Sequence, residues 1–196
     1  MATKTKRWER IGLTAAVIAA AAAVLGVSSL ALFTDSETVG SNAFGTGTLD
    51  LTASPTSAVF NVPAMAPGDE EVAALTIGNS GTIALRYAAT STTTENTLAG
   101  ELDLTIKTGV TTCTTGGFDT DGSVIYGPGD LGNTTPIALF GDATQGADAG
   151  DRTLAASTNE VLCVRVALPL SATNASQGAS TTATFQFDAE QTDNNP

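Results

Sequence analysis

From residue 45 onward, apolar and polar positions alternate in short runs separated by turn-forming residues, a period-two pattern that predicts strands. Thr48-Leu49-Asp50-Leu51-Thr52 puts both leucines on one face. Val59-Phe60-Asn61-Val62 predicts a second strand, and Pro67-Gly68-Asp69 a turn. Residues 72–77 and 83–89 read as two strands joined by a turn at Gly78-Asn79-Ser80-Gly81. Residues 101–107 alternate again, with Leu102, Leu104 and Ile106 on one face. Residues 161–168, nearly all apolar apart from Arg165, have the pattern of a central strand, and residues 182–187 close the series with Phe185 and Phe187 pointing inward. Residues 116–152 are rich in Gly and Asp and read as a long decorated insertion holding one or two short strands, at 123–126 and 136–140. Residues 190–196 look like a disordered tail. The expected fold is all-β, a β-sandwich or jelly roll over residues 32–189, with no internal repeat.

The first 31 residues differ from all of this. Lys4, Lys6, Arg7 and Arg10 precede an apolar run that reaches Leu32, and Ser29-Leu30-Ala31 supplies small residues for cleavage between Ala31 and Leu32. This predicts a cleaved helical signal peptide over residues 1–31. An uncleaved anchor is the alternative, since residues 11–32 are long enough to span about 30 Å of hydrocarbon. Gly26, Ser28 and Ser29 break the run near its end and favour cleavage. The expected location is extracellular, and the membrane is a partner only through the signal peptide before cleavage.

Charge narrows the partners. The chain carries −12, and removing the +3 of residues 1–31 leaves −15 with only four bases, Arg86, Lys107, Arg152 and Arg165. Such a chain repels nucleic acid and anionic lipid head groups, so neither is expected as a partner. Cys113 and Cys163 are the only cysteines. In an oxidising compartment they read as a disulfide staple rather than two free thiols or a metal site.

Candidate chemistry is sparse. There is no His, which excludes His-based zinc sites and a Ser-His-Asp triad. Asp69-Glu70-Glu71 reads as a solvated turn. Asp119-Thr120-Asp121-Gly122-Ser123, with Asp130 at the twelfth position, looks like half of a calcium loop. Gly127, Pro128 and Gly129 interrupt the helix such a loop needs, and a Gly/Asp-rich hairpin turn is the favoured reading. No cofactor is expected beyond that weak Ca²⁺ candidate. The Asn-X-Ser/Thr matches at Asn133 and Asn174 are too short to carry weight.

Three blocks resemble the TasA/camelysin family, whose members leave the cell through a dedicated signal peptidase of the SipW type. They are Leu32-Phe33-Thr34-Asp35 with Asn42-Ala43-Phe44-Gly45-Thr46-Gly47-Thr48-Leu49-Asp50-Leu51, then Met65-Ala66-Pro67-Gly68-Asp69, then Ile77-Gly78-Asn79-Ser80-Gly81-Thr82 leading into Leu85-Arg86-Tyr87. The resemblance runs from residue 12 to residue 87; the 116–152 insertion and the two cysteines depart from it. It implies a jelly-roll subunit of biofilm-matrix fibres that donates an N-terminal strand to the next copy. The donor here would be residues 32–44, with Leu32, Phe33, Val39, Ala43 and Phe44 as assembly residues. The implied partners are copies of itself and other matrix or cell-envelope components. Camelysin-like relatives are classed as metallopeptidases, so a cell-surface metalloendopeptidase is one alternative. A monomeric surface binding module using the 116–152 loop is the other.

Overall fold

The computed structural model describes residues 43–195, and residues from Gly45 onward form one compact unit. Two antiparallel sheets carry the predicted alternation. The first has the order β1 (Leu51–Ser54), β2 (Glu70–Asn79), β8 (Thr158–Ala167), β4 (Asp103–Thr108), β5 (Ser123–Asp130). The second is built on β3 (Leu85–Thr93). β9 (Ala183–Gln191) runs along the whole of one edge of β3, while β7 (Arg152–Leu154) and β6 (Ile137–Phe140) share the other end to end. The signal-peptide and cleavage expectations, Ala31 and Leu32 included, lie outside the described residues.

The run at 161–168 is indeed central: β8 pairs with β2 over ten residues and with β4 over six. Its inward positions Leu162, Val164 and Val166 join Leu75, Ile77, Leu104 and Ile106 in a buried layer. From the other sheet this layer meets Leu85, Tyr87, Ala89, Leu139, Phe140 and Leu154, with Phe185 and Phe187 partly buried against it. The Tyr87 ring packs edge-on to Phe140 at 5.7 Å. A polar tie crosses the sandwich at Glu160. Tyr87 on β3 donates its hydroxyl to Glu160 Oε1 on β8 at 2.5 Å, and Arg152 on β7 clamps the same carboxylate.

Several expectations need correction. Residues 59–62 form no strand, although Val59 and Phe60 still pack on the core. The strand expected at 48–52 starts only at Leu51, and Leu49 is exposed. Strands β2 and β3 do follow one another through the expected turn, but the turn carries the chain from one sheet to the other. The 116–152 segment does hold strands at the two expected places, β5 and β6, and goes further: β5 forms an edge of the first sheet, and β6 and β7 complete the second. It also includes a short helix, α1 (Thr115–Thr120), too brief to leave a periodic signature.

The expected tail is ordered through Asn195. The cause is Arg86, which is 7 % exposed on β3 and must find partners for a buried guanidinium. Glu190 supplies a carboxylate oxygen at 2.5 Å and Asn195 its carbonyl, while Thr192 N–H bonds Ala84 O.

Cys113 and Cys163 form a disulfide with Cα atoms 5.5 Å apart. It fastens the α1 loop to the outer face of β8. Phe118 of α1 is fully buried there, with the Lys107 ammonium 4.7 Å and the Arg165 guanidinium 4.5 Å from its ring centre. Cleaving a staple across a sequence separation of 50 should lower unfolding free energy by about 4 kcal/mol on the chain-entropy account. The Cys113→Ser/Cys163→Ser pair, followed by urea unfolding against the parent, measures it; a loss under about 1 kcal/mol would show the loop is held by packing alone.

Candidate functional site: the leading strand and its anchor

Among the described residues, two of the blocks that carry the family resemblance meet in space, the one ending at Leu51 and the one spanning Ile77–Thr82. Thr48 and Asp50, just before β1, lie against the β2–β3 turn. Thr82 N–H donates to Thr48 O at 2.9 Å, Ser80 N–H donates to Asp50 O at 2.8 Å, and Thr48 N–H donates to Thr82 Oγ1 at 2.9 Å. β1 then pairs with the end of β2, from Leu51 opposite Asn79 to Ser54 opposite Thr76.

Glycine is required at this junction for close approach. A Cβ at Gly81 would stand 2.3 Å from Thr48 O, and one at Gly78 would stand 2.7 Å from Thr52 Oγ1. Asn79 sits between them, 2 % exposed. Its Nδ2 donates to the carbonyls of Ile83 (2.8 Å), Leu154 (3.2 Å) and Ala155 (3.2 Å), and its Oδ1 accepts from Gly81 N–H. One side chain therefore ties the leading strand's turn to β7 in the other sheet. In the sequence Gly78-Asn79-Ser80-Gly81 reads as a turn alone, which hides the role of Asn79. A lone Asn between glycines is the signal that could have found it.

The third block is fixed to the far end of the same sheet. Asp69 accepts from Ala66 N–H through Oδ2 at 2.7 Å, closing the Pro67-Gly68 turn. Gly68 N–H then bonds Leu168 O, and Leu168 N–H bonds Asp69 O. The blocks thus clamp β1, β2 and the end of β8 together.

Of the assembly residues, Leu32, Phe33 and Val39 lie outside the described residues. Ala43 and Phe44 are exposed, Phe44 at 96 %. The three calcium candidates are not brought together. Asp119 pairs with Arg165 at 2.8 Å. Asp121 accepts from the Thr111 hydroxyl and N–H and from Gly122 N–H, which hold its carboxyl below the usual range. Asp130 stands on β5 opposite Asp103. Among the described residues, no group of three or more Cys, Asp or Glu is placed to hold a metal ion.

The fold and this junction define a two-sheet antiparallel sandwich, stapled by one disulfide, whose leading strand is clamped to the β2–β3 turn. Residues 6–101 match the family model described as Camelysin metallo-endopeptidase. Through this part, which takes in all three blocks and ends ahead of β4, the chain carries the camelysin family's sequence pattern. No match was found among curated proteins. The metal that the family's description implies does not fit the donors present, because the chain has no His and both thiols are consumed by the disulfide.

Replacing Asn79 by Ala strands buried partners on both sheets and should cost about 2 kcal/mol or more. Amide exchange would report it locally, with Gly81 and Thr82 losing protection ahead of the β8 core. Unchanged exchange at those two amides would mean the clamp does not depend on Asn79.

Proposed function

We propose that the protein is a secreted structural subunit of the cell surface or biofilm matrix, self-assembling by donating residues 32–44 as a strand to an open sheet edge of the next copy. The observation that carries this reading is the clamped leading strand. The donor segment stops at an exposed Phe44, and within four residues the backbone is fixed at Thr48. An extended segment rooted on a rigid sheet edge is what β-augmentation needs. While joined to the signal peptide the segment has no free end, so export would also license assembly.

Four further features support it. Among the described residues β9 pairs only with β3, leaving a nine-residue strand with an unmatched edge. β1, only four residues long, is followed at once by Pro55 and offers far less ladder. The donor set argues against the metalloendopeptidase alternative, and neither the pocket beside Arg86 and Asp188 nor the one beside Thr52 and Asn159 is lined by a candidate nucleophile–base pair. The binding-module alternative loses its basis, since segment 116–152 is built into both sheets rather than presented as one free loop.

A chain starting at Leu32 should form regular fibres visible by electron microscopy at neutral pH. A chain starting at Gly45, which keeps the whole compact unit, should stay monomeric under the same conditions. Fibres from the shorter chain would refute strand donation by residues 32–44.

A further inference from the structure

We infer that association between copies is gated by ionic strength: screening by simple salt is the condition under which one copy can approach another. The inference rests on the assembly reading above, and it follows from where the cations are spent. The chain beyond residue 31 has four bases, and all four are engaged inside the fold. Arg86 is buried against Glu190 and Asn195 O. Arg152 clamps Glu160. Arg165 bridges Glu70 at 3.5 Å and Asp119 at 2.8 Å beneath Phe118. Lys107 caps the carbonyls of Phe118 and Asp121. None is left to meet a carboxylate on another copy.

The acids are distributed differently. Only Glu70, Asp119, Glu160 and Glu190 appear in ion pairs among the described residues. The others face solvent or cap turns, and one pair even opposes itself. Asp103 and Asp130 stand directly across the β4–β5 ladder with no cation between them, an arrangement that destabilises a sheet. The edge proposed to receive the donor strand carries Asp188, which has no cation partner among the described residues, while its Glu190 is already paired with Arg86. The donor segment contains Asp35 and Glu37 and no base. Joining the two therefore brings acid to acid along the ladder, and two bodies of the same strong charge repel before any hydrogen bond forms. At 0.01 M salt the field reaches about 30 Å, and at 0.15 M about 8 Å, so modest salt decides whether the edges meet.

The test is sedimentation velocity of the chain starting at Leu32 in NaCl from 20 mM to 1 M, beside a variant with Glu71→Gln, Asp103→Asn, Asp130→Asn and Asp193→Asn. The expected result is assembly that strengthens with NaCl, its threshold protein concentration falling roughly tenfold across the range. The variant should reach the same state at lower salt. Assembly equally strong at 20 mM, or weakening with NaCl, would overturn the gating and leave strand donation standing. Assembly that ignores NaCl but requires a divalent cation would replace screening with bridging. Monomer at every salt for both chains would sink the gating together with the assembly reading.

Discussion

The backbone of Thr158–Ala167 is bound on both sides, by β2 along its full length and by β4 along six of its residues, and the rest of the sandwich is arranged around that fact. A strand with both edges filled can be apolar on its core face without becoming an aggregation template. Its outer face still needs cover, because Cys163 and Arg165 stand there on an otherwise uncharged stretch. The α1 loop supplies that cover, with the disulfide fixing its position and Phe118 filling the space between Lys107 and Arg165. The insertion that departs from the family pattern is thus what seals the central strand.

A second consequence concerns how the sheets hold together. A sandwich of small apolar residues with few aromatics has little bulk with which to lock two sheets in register. Two polar ties add to that lock. Glu160 gathers Tyr87 and Arg152 from the opposite sheet, and Asn79 reaches the carbonyls of Leu154 and Ala155. Burial and the Glu160 carboxylate beside it push the Tyr87 hydroxyl well above its ordinary pKa, so it stays a donor throughout the physiological range. Both ties lie at the end of the sandwich where the leading strand enters, and there the chain is most firmly specified.

How much of this was legible in the sequence follows the physics of each element. Strands with one buried face announce themselves by alternation, so β4 and β9 are readable from Leu104 and Phe185, while β8 is readable from its nearly continuous apolar run at 161–168. β7 is three residues long and is defined by its partner β3, which no local pattern reveals. Residues 59–62 have the apolar content of a strand and pack on the core, but they find no ladder, and composition cannot tell those cases apart. The ordering of residues 190–195 depended on a buried Arg more than a hundred positions earlier. At the candidate site, the family-like blocks are visible as three separate motifs; that the first and last clamp each other through Gly81, Thr48 and Asn79 is a property of the folded chain.

The central claim is that the open edge of β9 receives the donor strand of a neighbour. The most direct test is residue-resolved amide exchange across Ala183–Gln191, comparing the unassembled chain with its fibres. The account predicts that the N–H groups of β9 directed away from β3 exchange freely in the monomer and become strongly protected in the fibre. Those already bonded to β3 should change little. New protection confined to β1 or β5, with the outward amides of β9 still exchanging freely in the fibre, would contradict it.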